Sequence, residues 1–136
     1  MPTNQTIAEQ LDAAYRHATA ANDLPCAEAA LRMRLTFARS NEPMEVFNFW
    51  SQLALVIGLQ GRTGEALPML TAVLLVDPHA PAIYFATLAA LHFEDGHWRL
   101  AFGLLDQAER AHGKRSEISL LRSCWKELAE CPSTNS

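Results

Sequence analysis

Trp50-x2-Leu53-Ala54-x2-Ile57, followed by Gly61, Ala66-x3-Leu70 and Pro78, makes one run. Phe85-x2-Leu88-Ala89-x2-His92, followed by Gly96 and Ala101-x3-Leu105-x2-Ala108, makes another. Both lie between Phe47 and Arg115, and corresponding positions are 35 residues apart: Trp50 and Phe85, Gly61 and Gly96, Ala66 and Ala101. Apolar residues recur at helical spacing on either side of each glycine, so each run reads as a helix, a turn and a second helix. Small residues at Ala54 and Ala66 let two helices approach closely. Trp50, Leu53, Ile57, Leu70 and Val73 fill the seam and the gap to the next hairpin. One hairpin cannot bury its apolar face alone, so neighbours must stack. An ordinary helical bundle with two chance matches is the competing reading.

The rest of the chain extends the pattern. Thr6-x-x-Glu9 is a capping box, which predicts a first helix from Thr6, with Leu11, Ala14, Tyr15 and Ala18 at helical spacing. Asn22-Asp23 breaks it. Asp23 is placed to cap a second helix with Pro25 in its first turn, running to about Arg39. The register of this hairpin stays open, because Ala27 and Ala30 both suit the small position. The third helix is expected from Asn41 and Pro43 to Leu59, and the fourth from the Gln60-Gly61-Arg62 turn to Asp77-Pro78. Pro68 should kink the fourth helix or delay its start. A fifth helix spans Pro81 to Glu94, a sixth Trp98 to Ala111 with Gly113 as C-cap, and a seventh begins at Ser116 and stops before Pro132. The seventh presents Ile118, Leu121, Trp125 and Leu128 on one stripe and is expected to cover the apolar end of the stack. Residues 132–136 are expected to be a disordered tail.

Composition is consistent with this. The 136 residues suit one domain, expected over 1–131, with hairpins at about 6–39, 42–77 and 81–112 and a capping helix at 116–130. The 49% hydrophobic content supports a continuous core, and short turns in an Ala- and Leu-rich chain mark the class as all-α. A net charge of -4 provides no basic footprint for nucleic acid. The start is polar, without a signal peptide pattern, and the longest apolar stretch, Leu67 to Val76, is too short to span a membrane. A cytoplasmic protein that does not insert into membranes is expected. Cys26, Cys124 and Cys131 fit no zinc or redox spacing; Cys124 and Cys131, seven apart on one helix face, read as packed thiols.

No catalytic constellation stands out, so the chain is not expected to be an enzyme and no cofactor is expected. The five histidines form no HExxH. His92, Asp95 and His97 sit around one turn, where turn and partly buried histidines explain them better than a metal site, and no metal is expected. Gly61-Arg62-Thr63-Gly64-Glu65 lacks the Gly-Lys-Thr ending of a phosphate loop and follows no strand. What remains is surface for binding. The first helix of each stacked hairpin lines the concave side. That face carries Asn48, Ser51, Leu55 and Gly58 on the third helix and Ile83, Ala86, Ala90 and Phe93 on the fifth, with Asp12, Tyr15, Arg16 and Thr19 flanking on the first. The candidate groove is therefore Tyr15, Asn48, Ser51, Leu55, Ile83, Ala86, Ala90 and Phe93, with Leu55, Ile83 and Phe93 as anchors for an extended or helical peptide. The same residues could serve equally as packing against neighbouring helices, the seventh included.

The order of large aromatic, Leu, small residue, later Ala, large apolar residue and closing Pro resembles the tetratricopeptide (TPR) pattern, whose period is about 34. An extra residue in the loop around His79-Ala80-Pro81 accounts for the longer spacing here. The second copy departs from the pattern by lacking the closing Pro and by carrying His92 where an aromatic is usual. The resemblance implies a TPR-like stack of three antiparallel hairpins plus the capping helix. Gln60-Gly61-Arg62-Thr63-Gly64-Glu65-Ala66, leading through Val76-Asp77 to Tyr84, Ala89-Ala90 and Gly96, resembles the small TPR chaperones of bacterial type III secretion. That likeness covers roughly residues 45–130. It implies a bacterial cytoplasmic chaperone, associated with virulence, that shields an apolar segment of a translocator or needle subunit until export. A small co-chaperone and a homodimer are both open partners. The short region before the first repeat departs from the translocator branch, which keeps the needle branch in competition. A generic TPR adaptor unrelated to secretion is the alternative. Such adaptors often carry a basic cluster in the groove, where this chain offers Arg16.

Overall fold

The computed structural model describes residues 4–37 and 43–130. Seven α-helices occur among the described residues: α1 (Asn4–Ala20), α2 (Leu24–Thr36), α3 (Pro43–Leu59), α4 (Thr63–Val76), α5 (Ala82–Glu94), α6 (Trp98–His112) and α7 (Ser116–Glu130). No strand occurs among them, so the protein is all-α. The expected boundaries at Arg39 and Asn41, Cys131 and the expected tail lie outside the described residues. The first helix begins at Asn4, which puts Thr6 inside its first turn and not at the cap. Asp23 does cap α2: its Oδ1 accepts from the Cys26 amide at 3.2 Å, with Pro25 in the first turn. Helix α4 begins at Thr63 and runs through Pro68, so no late start occurs. Pro68 is exposed, leaving the carbonyl that has lost its partner amide accessible to water.

The chain divides into two compact units, Met1–Leu70 and Thr71–Ser136. In the first, α1 packs on α2 and α2 on α3. Ala27, Leu31, Leu53, Ala54, Ile57, Ala66 and Leu70 are buried there. In the second, α5 packs on α6 and α6 on α7, around Phe85, Ala89, Ala101, Leu105 and Ala108, with Ile118 and Trp125 from α7.

The turns explain why these helices stop where they do. After α3, Gly61 adopts φ +77°, its amide bonds to the Gly58 carbonyl at 2.9 Å, and the Arg62 amide reaches the Ile57 carbonyl at 3.4 Å. After α5, Gly96 adopts φ +83°, with bonds to the Phe93 carbonyl at 3.0 Å and from His97 to His92 at 2.8 Å. This is the Schellman closure, in which a left-handed residue lets two amides satisfy the helix's last carbonyls. The α1–α2 turn closes the same way: Asn22 sits at φ 56°, its amide meets the Thr19 carbonyl at 3.1 Å, and Asp23 reaches Ala18 at 2.8 Å. Asparagine is the residue that best tolerates this conformation after glycine.

The three closures can be laid over one another at their left-handed residues. Asn22 corresponds to Gly61, so Ala27 corresponds to Ala66 and Ala101, and Leu31 to Leu70 and Leu105. Ala27, Ala66 and Ala101 are each 0% exposed, and each donates its amide at 3.0 Å to a carbonyl four residues back (Asp23, Arg62 and His97). Ala30 is also buried but lies off this register. Trp50 is only partly buried, so its contribution to the core is smaller than that of Phe85, its counterpart.

Candidate binding surfaces

The second unit contains an open cavity of about 590 Å³. Its walls are apolar side chains from the start of α5 and the start of α7: Ala82, Ile83 and Ala86 on one side, Ile118 and Leu121 on the other. The size falls within the range of binding clefts. Helix α5 is positioned by the Asp77–Pro81 turn, in which the Asp77 carboxylate accepts from the His79 amide at 3.1 Å and the Ala80 amide bonds to the Asp77 carbonyl at 3.1 Å. His112 also lines the cavity. Its Nε2 lies 2.6 Å from the Ala80 carbonyl, and since a carbonyl can only accept, Nε2 carries the proton. The same ring meets Phe85 edge-on, with centroids 6.3 Å apart. Ile83 is 47% exposed, so its side chain stands in the opening rather than in the core. A smaller cavity of about 270 Å³ is lined by Leu74, Pro78, Phe85 and Arg110 among others, and His79 borders both.

The candidate groove residues divide between the units. In the second, Ile83 and Ala86 border the cavity. Ala90 and Phe93 are partly buried against the core. The Phe93 ring stacks on Trp125 of α7 at 4.8 Å and 14° and lies 6.0 Å from Trp98, so its face is used in holding α7. In the first unit, Asn48 is exposed, Leu55 and Tyr15 are partly buried, and burial pushes the Tyr15 hydroxyl pKa up. Ser51 is buried, and its hydroxyl donates to the Phe47 carbonyl at 2.7 Å, one turn back on its own helix.

Two charged clusters that the sequence reading missed tie the first unit together. Glu28 on α2 is buried. It accepts from Arg32 at 2.9 Å, from Gln60 at 2.9 Å and from Arg62, which also pairs with Glu65. Burial alone would raise the Glu28 pKa, but the bonds from Gln60, Arg62 and Arg32 hold it at about 2. The Gln60-Gly61-Arg62 run thus clasps α2. Arg34 bonds Asp12 of α1 and Glu45 of α3, both at 3.0 Å, and lies over the Phe49 ring at 4.4 Å. Glu28–Arg32 and Arg62–Glu65 stand at i,i+4 and i,i+3 spacing and were open to reading, whereas the pairs between helices join residues 11 to 34 apart and leave no local periodicity.

Cys124 is exposed, which corrects the expectation of a packed thiol there, and Cys26 is exposed as well. Burial, followed by the nearby His97, lowers the His92 pKa. Its Nδ1 is buried without a hydrogen-bond partner among the described residues. Among the described residues no group of three or more His, Cys, Asp or Glu is placed to hold a metal ion, and no helix is long and apolar enough to cross a membrane. No family model and no curated protein sequence matches the chain.

Proposed function

We propose that this protein is a TPR-like chaperone that shelters an apolar segment of another polypeptide, and that its clients are substrates of type III secretion held in the bacterial cytoplasm before export. The repeat reading is supported by three turns that close alike and by the equal burial of Ala27, Ala66 and Ala101 behind them. The secretion reading rests on the resemblance of Gln60 through Gly96. The observation that carries the binding role is the cavity beside α5, with Ile83 exposed at its edge and Ala86 leaving depth behind it. An apolar client side chain entering there leaves water at both surfaces, which drives association. The role is binding, and no reaction is assigned.

The test is co-expression with the proteins encoded beside it, followed by purification. Ile83→Glu puts a charge into the opening at an exposed position and should remove the client while leaving far-UV circular dichroism unchanged. Leu55→Glu asks the same question of the first unit. Client retained at the wild-type level by both folded variants contradicts the proposal.

A further inference from the structure

We infer that the segment taken by this cavity carries acidic side chains beside its apolar anchors, and that Arg115 and Arg110 recognise them. The inference rests on the cavity being the client site. The chain as a whole is acidic, yet the surroundings of the cavity are not. Arg115, His112 and His79 border it, against one carboxylate, Glu117. Arg110 and His79 border the adjoining smaller cavity, which has no acidic residue in its lining. The run Arg110-Ala111-His112-Gly113-Lys114-Arg115 holds three permanent cations and no acid.

Two of the carboxylates in this part of the chain are held by another cation. On α6 these are Asp106 and Glu109, which Arg122 bonds at 2.8 Å and, through Nε, at 3.1 Å; Glu117 is the one carboxylate that borders the cavity. Arg110, Lys114 and Arg115 make no ion pair among the described residues and are exposed. Of these, Arg115 borders the larger cavity and Arg110 the smaller, and an unpaired cation beside an apolar opening complements an anion on whatever enters it. His79 borders both cavities, so a segment whose apolar side chains occupy the space between Ile83 and Leu121 meets Arg115 first and, where it continues past His79, Arg110. Each such pair is partly solvated, so a two- to fivefold effect per arginine is expected, about what exposed pairs supply. The effect should fade with added salt.

The test uses the full chain and short synthetic peptides built on a Leu-x-x-Leu core. Each is made in matched versions with Asp, Asn or Lys beside the core, amidated at the C-terminus and read by fluorescence anisotropy. Asp versions should bind best and Lys versions worst. R115Q and R110Q should each cut the preference for Asp over Asn two- to fivefold, whereas K126Q, on the exposed face of α7, should leave it unchanged. Equal binding of Asp and Asn versions overturns this inference and leaves the cavity reading standing. Failure of every version to bind contradicts the cavity reading and takes this inference with it. Binding of anionic phosphatidylserine vesicles with loss in R115Q, without any peptide preference, assigns the cations to a lipid surface and also overturns it.

Discussion

At the scale of single residues, three turn positions and one buried acid carry distinct costs. A Cβ built on Gly61 or Gly96 meets nothing within 4 Å, so the obstacle to substitution is the left-handed backbone alone. Gly61→Ala and Gly96→Ala should each lose about 1–2 kcal/mol in urea denaturation. Asn22→Gly, at φ 56°, should shift stability the other way by less than about 1 kcal/mol. Glu28 has its pKa held at about 2 in the folded chain against an ordinary 4.5. A lowered carboxylate pKa favours folding above 4.5, and that contribution drains away as pH falls from 4.5 towards 2. Glu28→Gln should lower stability at neutral pH, because Arg32 and Arg62 lose their anion, and should flatten the acid limb of a plot of urea midpoint against pH. An unchanged acid limb would mean that the Arg32–Gln60–Arg62 bonds do not form in solution.

At the scale of elements, α7 shows both how far pattern reasoning reaches and where it stops. Spacing picked Ile118, Leu121, Trp125 and Leu128 as its inward stripe. Ile118 and Trp125 are buried and Leu121 is partly so, but Leu128 is 64% exposed. Periodicity reports which residues share a face. It does not report how much of that face a neighbour is long enough to cover, and the aromatic cluster of Phe93, Phe102 and Trp125 lies short of the last turn. Trp125→Ala should cost about 3–5 kcal/mol and free α7 from the second unit, read as faster amide exchange along Ser116–Glu130. Trp50→Ala, at a partly buried position, should cost less. The same limit explains the first hairpin: Ala27 and Ala30 are both small and both buried, and only the backbone of the Asn22 turn distinguishes them.

At the scale of the molecule, the seven helices of the described residues and their order were legible from glycine turns, caps and apolar spacing, because those signals are local. The cavity was legible in half of its outline. Ile83 and Ala86 were visible as one face of α5, but the α7 wall and the His112 bond to Ala80 depend on contacts between distant segments. Phe93 belonged to the same helical face as Ile83, and stacking on Trp125 turned it to a different use. The pairing of Arg34 with Asp12 and Glu45 was invisible for the same reason. The most direct measurement of the central claim is photo-crosslinking of the co-expressed client with a photoreactive residue placed at position 83 or, as a control, at position 128. Client sheltered in the cavity gives an adduct from position 83 and none from position 128; a client that crosslinks at 128 but not at 83 is held elsewhere, and the cavity is then not its site.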